Sequence, residues 1–195
     1  MRGNALAHYL KVRLGFAEPH TQTTSSERSV LEKYAKNASV GIEIGVYEGV
    51  NTSLIARNMK SEGRLYGIDP FFKGRAGICY SKLIALHNLK KTQTIGKVTL
   101  IEKLSSDAAA DVPERIDFMF IDGDHSYEGI AKDWELFSCK IVPGGIIALH
   151  DTSVPDFDPE RSKLGSVSFF AQVISKDLAF EKLETADSMN VLRRK

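Results

Sequence analysis

Residues 40–54 read V-G-I-E-I-G-V-Y-E-G-V-N-T-S-L, and the order of residue types in this stretch decides the fold. An apolar, β-branched run carries Glu43 and ends at Gly45; Gly49 follows, and then a helix-like pattern. That is a strand, a tight glycine turn and a helix, the opening of a nucleotide-binding α/β unit. The spacing is not that of the dinucleotide fingerprint G-x-G-x-x-G, because Tyr47 stands where the second glycine would let backbone touch a pyrophosphate. Glu43 places a carboxylate at the strand end, where it would repel a phosphate. The turn therefore suits a nucleoside ligand that lacks phosphates and accepts a negative wall.

Short apolar strands alternate with amphipathic segments on both sides of this turn. Residues 5–16 predict a short helix with Leu6, Tyr9, Leu10 and Leu14 on one face. Residues 17–26 form a loop in which Ser25 or Ser26 caps a helix over 27–37. Strands are expected at 40–45, 64–69, 97–102, 116–122 and 146–150. Helices are expected at 49–60, 81–93, 106–111, 126–139 and 164–177. An insert at 70–80 follows the second strand, Pro143-Gly144-Gly145 marks a turn before the fifth, and 180–185 with 190–194 reads as a hairpin. The fold class is α/β: a doubly wound, mostly parallel seven-stranded sheet with a C-terminal antiparallel hairpin. One Rossmann-like domain is expected over 1–195, with 1–26 as a lid or substrate segment.

Composition narrows the function. With 195 residues, 43% of them hydrophobic, the chain can bury a full core. A formal net charge of +1 supplies no basic field for nucleic acid. Cys79 and Cys139 show neither metal nor disulfide spacing and read as buried thiols of a reducing compartment. His8, Lys11 and Arg13 interrupt the N-terminal apolar residues, so no signal peptide or membrane span is expected and the location is cytoplasmic.

In doubly wound sheets the ligand lies outside the carboxyl ends of the strands. Those ends carry Glu43, Asp69, Ser105, Asp122 with Asp124, and His150 with Asp151. Such an acidic rim repels itself unless a cation or a hydroxyl-rich ligand compensates. S-adenosylmethionine, a sulfonium with an ammonium group and a ribose, meets that need. Asp69 would accept the ribose hydroxyls, Gly45 and Gly49 would let backbone approach the methionine portion, and Glu43 would hold the ammonium directly or through turn amides and water. Tyr47 sits in the same turn, and Leu104 and Ser105 lie where an adenine ring would be sandwiched. For Leu104, core packing is the alternative. In F-M-F-I-D-G-D-H-S-Y-E-G, His125 beside Asp122 and Asp124 is a natural general base for a hydroxyl nucleophile. Asp122 and Asp151 could share a divalent cation such as magnesium; alternatively, Asp122 and Asp124 only order the loop and cap the following helix.

These blocks together resemble class I S-adenosylmethionine-dependent methyltransferases, most closely methyltransferase family 24, related to catechol and caffeoyl-coenzyme A O-methyltransferases. The carriers are E-I-G-V-Y-E-G, G-I-D-P, V-T-L-I-E-K-L-S-S, F-I-D-G-D-H-S-Y-E and V-P-G-G-I-I-A-L-H-D, in the family's order over roughly residues 25–152. The resemblance implies Glu43, Gly45, Gly49, Asp69 and Ser105 as cofactor residues, and His125 at the position of the family's base. It also implies magnesium on Asp122, Asp151 and position 152, although this chain has Thr152 where the catechol-type enzymes have Asn. The expected activity is O-methylation of a small hydroxylated acceptor, a sugar or secondary metabolite. Phe71, Phe72, Lys73 and Arg75 are candidates to meet that acceptor, with Lys73 and Arg75 as solvated loop charges the alternative. A catalytically silent nucleoside-binding partner protein and a nicotinamide-dependent oxidoreductase are the competing classes. A homodimer through the N-terminal helix and the end of the chain, with Phe169, Phe170, Phe180 and Leu192, is set against those four being core.

Overall fold

The computed structural model describes residues 5–74 and 77–195; Arg75 lies outside them. Strands β1 (Val40–Ile44), β2 (Arg64–Ile68), β3 (Val98–Ile101), β4 (Ile116–Ile121) and β5 (Ile141–Leu149) run parallel, and β6 (Phe180–Ala186) and β7 (Met189–Arg194) close the sheet as an antiparallel hairpin. Their order is β3-β2-β1-β4-β5-β7-β6. The chain winds outward from β1 in one direction through β2 and β3, then returns to place β4 on the other side. The carboxyl ends of β1 and β4 therefore flank the switch point, where such sheets open a crevice.

Period-two alternation sorts the strand residues between two cores. Ile42, Met119, Ile121 and Ile147 join Trp134, Phe137, Phe169 and Phe170 on one face. Phe118, Phe120, Leu65 and Ala148 join Leu31 and Ile55 on the other. Phe118 and Phe120 are fully buried, and truncating either to Ala would cost about 3–5 kcal/mol through lost transfer energy and a residual cavity. The helices α1 (Ala5–Arg13), α2 (Ser25–Ala35), α3 (Val50–Asn58), α4 (Tyr80–Lys91), α5 (Ser105–Ala108), α6 (Tyr127–Phe137) and α7 (Gly165–Gln172) cover the sheet.

Several local expectations change. Helix α2 starts earlier because Thr24, not Ser25 or Ser26, is its cap: Thr24 Oγ1 accepts from the Glu27 amide and Glu27 Oε2 accepts from the Thr24 amide. This reciprocal box satisfies two of the donors that a helix start leaves free. Pro143-Gly144-Gly145 is not a turn before β5 but lies within that strand, which starts at Ile141 and shifts register against β4 between Ile116 and Phe118. The stripe expected on α1 is only partly covered: Leu6, Leu10 and Leu14 are exposed, Tyr9 is half-buried beside Tyr80, and Val12 is buried. Phe169, Phe170, Phe180 and Leu192 are all core residues, which leaves them no apolar face for a partner. Cys139 is exposed and Cys79 half-buried, so the expectation of two buried thiols fails.

Candidate functional site

A cleft of about 960 Å³ opens over the carboxyl ends of β1, β2 and β4. Gly45, Tyr47, Asp69, Leu104, Ser105, Asp122, Asp124 and His125 all line it. The turn after β1 is held from below. Gly45 has φ 93°, and a Cβ there would lie 2.0 Å from the Asp122 carbonyl oxygen, so only glycine lets β1 end against β4. Tyr47 also takes a left-handed conformation, at φ 51°. Asp69 Oδ2 accepts from the amides of Val46 (3.1 Å) and Tyr47 (2.9 Å), and Oδ1 accepts from that of Phe71 (2.7 Å). Asp69 thus ties the glycine turn to the chain leaving β2, and most of its remaining acceptor capacity is on Oδ1.

Two cofactor candidates sit deeper than the sequence suggests. Glu43 is fully buried beneath the turn and does not form the cleft wall. Burial, reinforced by Asp122 and Asp69, pushes its carboxyl well above the usual range. The Thr52 hydroxyl is the polar neighbour that opposes this shift, and no hydrogen bond of good geometry reaches either carboxyl oxygen from the described residues. Gly49 is likewise off the wall; its φ of 75° starts α3, and a Cβ would lie 3.1 Å from the Ala85 Cα in α4. Close packing of two helices explains that glycine. Leu104, by contrast, is 49% exposed at the cleft, so it is not a core residue.

The second half of the site is built around charge. His150 follows β5, is 2% exposed, and places Nδ1 2.8 Å from Asp122 Oδ1. Its Nε2 lies 3.3 Å from Glu27 Oε2. Burial alone would lower the His150 pKa, but the two carboxylates outweigh it and raise the value to about 9. Glu27 is held at about 2: burial pushes it up, and His150, Ser188 and Thr24 pull it further down. Asp151, left-handed at φ 53°, is ion-paired with Arg161 from the segment before α7. His125 Nε2 lies 3.7 Å from Asp122 Oδ1 and 3.5 Å from Asp151 Oδ2. Burial sets the His125 pKa below its ordinary value, with Asp122 opposing and His150 and Arg161 assisting. Asp124 has the ordering role: its Oδ1 accepts from the Ser126 amide at 2.9 Å, and Ser126 caps α6.

Sequence reasoning missed Glu27, Arg161 and the wall formed by Lys163, Leu164 and Gly165. Thr24-x-x-Glu27 is a capping-box pattern and could have located Glu27 as an ordered carboxylate. Arg161 has a local partner in Asp158, at 2.9 Å, but nothing local marks its contact with Asp151, ten residues away across a loop. The N-terminal segment does reach the site, since His20, Thr21 and Gln22 line the cleft and Thr23 donates to Asn51 at 2.9 Å. In the insert, Phe72 is exposed on the cleft wall, while Phe71 is buried.

Residues 42–152 match the family model described as a methyltransferase domain. The chain belongs to this methyltransferase family. An uncharacterized protein of Acanthamoeba polyphaga mimivirus is 32% identical over 128 residues, 60% of this chain. The chain spans about half the length of that curated relative, 53% of it. Among solved structures, the O-methyltransferase from Bacillus cereus in complex with S-adenosylhomocysteine superposes with a TM-score of 0.61 at 18% identity, covering 100% of this chain and 92% of that one. The S-adenosylhomocysteine-bound methyltransferase of Podospora anserina gives 0.68 at 15% identity, covering 100% and 89%. At these identities the likeness is one of fold, and it matches the seven-stranded methyltransferase sheet with its terminal hairpin. The nicotinamide-oxidoreductase alternative falls with the family assignment.

Proposed function

We propose that this methyltransferase-family chain transfers a methyl group from S-adenosylmethionine to a hydroxyl of a small acceptor, with His125 as general base. The observation that carries the reading is the position of His125: on the cleft wall, next to Asp122 and Asp151, with its pKa lowered by burial. A neutral imidazole at neutral pH can accept a proton, and two nearby carboxylates stabilise the imidazolium that results.

The residues present fit the cofactor. The turn residues, the remaining acceptor capacity of Asp69 and the exposed Leu104 on the cleft wall together suit a cationic nucleoside. When bound, that cofactor supplies an electrophilic methyl on a sulfonium sulfur. Asp69 keeps the turn in register, and Leu104 offers an apolar face for a purine. His20, Thr21, Gln22, Phe72 and Leu164 line the same cleft as His125, where they are placed to meet an acceptor and hold its hydroxyl near that imidazole.

Magnesium does not fit the residues expected to hold it. Asp122 and Asp151 are bridged by cationic side chains, His150 on one and Arg161 on the other. The Thr152 hydroxyl donates to the Leu149 carbonyl at 2.8 Å and is turned away. Asp122, His125 and His150 do bring ligand atoms within 4.8 Å of one another, but His150 commits Nδ1 to Asp122 at 2.8 Å and turns Nε2 to Glu27 at 3.3 Å.

Calorimetry with S-adenosylhomocysteine, followed by a methyl-transfer assay over hydroxylated acceptors, tests the reading. No binding, or binding without turnover on any acceptor class, would reject it.

A further inference from the structure

Away from the carboxylate–histidine network, three segments converge on a second group of side chains. His8 comes from α1, His20 from the loop before α2, and Glu48 from the glycine turn itself. The Glu48 side chain is only 5% exposed. His8 Nε2 lies 3.0 Å from Glu48 Oε2, and His20 Nδ1 lies 3.8 Å from Oε1. The His20 backbone amide also donates to Oε2, at 2.6 Å. The two imidazole rings stack with centroids 3.9 Å apart and planes 6° from parallel. One ligand atom from each of the three residues falls within 4.8 Å of the others.

We propose that His8, His20 and Glu48 form a binding site for a zinc-class divalent metal ion. Two imidazole nitrogens and one carboxylate oxygen are a borderline donor set, suited to zinc or cobalt and unsuited to magnesium or calcium, which take oxygen ligands. Bonds of about 2.0–2.2 Å to such an ion require ligand atoms about 3–3.5 Å apart. The His8–Glu48 pair already meets that spacing, and His20, whose side chain is 63% exposed, can close the remaining distance by side-chain rotation. The two imidazoles stack on each other beside one buried carboxylate, so three donor groups from three separate segments already converge on one point. Three protein ligands also leave a coordination position open. His20 lines the cofactor cleft, while His8 and Glu48 line a smaller pocket of about 270 Å³ behind Tyr47. The ion would fasten α1 and the loop before α2 onto the turn that carries Tyr47. The site does not depend on the methyl-transfer reading and stands if that reading fails.

Cobalt titration of the metal-stripped full chain, followed by d–d absorption, tests this. The wild type should bind one equivalent at micromolar concentration with a low-symmetry cobalt spectrum, and zinc should displace it. His20→Gln, at an exposed position where folding is not at risk, should weaken binding by about 100-fold; loss of a second-sphere partner already costs about 10–100-fold. His8→Gln should act likewise, and His125→Gln should bind as the wild type does. X-ray absorption of the zinc-loaded wild type should show two imidazoles in the first sphere. The proposal is overturned if the wild type takes up no cobalt or zinc at 100 µM, a ceiling about 100-fold above micromolar affinity. It is equally overturned if His20→Gln binds with unchanged affinity, if His125→Gln abolishes binding, or if the zinc sphere contains no histidine.

Discussion

His150 Nδ1 lies 2.8 Å from Asp122 Oδ1, deep at the junction of β4 and β5, where family resemblance anticipates a magnesium ion. A protonated imidazole there donates to Asp122 and faces Glu27 on its other edge, while Arg161 neutralises Asp151. The positive charge that an acidic rim requires is supplied by side chains.

Magnesium should be dispensable for methyl transfer. Raising it from zero to millimolar levels should leave turnover unchanged, whereas Arg161→Ala should destabilise the fold by about 1–3 kcal/mol by removing the guanidinium from a buried carboxylate. Strict magnesium dependence in a steady-state assay would show that the two carboxylates hold an ion after all.

His125→Ala should lower kcat by about 10²–10⁴-fold, the range for loss of a positioned general base. Cofactor affinity, read by calorimetry, should stay nearly unchanged. Full activity of the variant would transfer the base assignment to Asp124 or Asp151.

Asp69→Asn should weaken S-adenosylhomocysteine binding by about 1.5–3 kcal/mol, the scale of charge-assisted hydrogen bonds. It should also lower Tm, since an amide cannot accept from Val46, Tyr47 and Phe71 together. Unchanged affinity with lowered stability would reduce Asp69 to a turn-ordering residue.

Stability should fall on the alkaline side. The His150 pKa is raised from 6.5 to about 9, so its contribution is complete below pH 6.5 and is lost as pH rises through 9. The loss should approach about 3 kcal/mol by the linkage of proton binding to folding. Glu27→Gln removes one of the two carboxylates that raise the pKa and should flatten thermal-unfolding profiles between pH 6.5 and 9. A wild-type profile already flat over that range would refute the ion cluster.

The parts of this molecule visible in the sequence are those written in local spacing. The glycine turn, the period-two strands and the D-G-D-H segment announce themselves, because each needs particular residue types at fixed neighbouring positions. Asp69 was legible as a strand-end acid, but its three amide partners belong to folded geometry. Glu43 reads as a wall residue and is in fact buried, since one residue of strand phase decides which face a side chain takes. The leucine stripe of α1 misled for a related reason: helical periodicity says that one face is apolar, not that anything covers it. The Glu27–His150 contact joins residues far apart in the chain, which no short window contains, and the Arg161–Asp151 pair spans a loop whose path the sequence does not spell out.

The reciprocal cap at the start of α2 has a consequence for how this chain can be divided. Glu27 accepts from Thr24 at one end of the polypeptide and from the Ser188 amide and hydroxyl near the other, at 3.0 and 2.7 Å, while facing His150 between them. The stretch shared across the family, 42–152, contains the imidazole but neither of these terminal supports. Excised or grafted alone, that stretch would carry a buried cation without its second counter-ion, so in this chain the shared core is not a portable module.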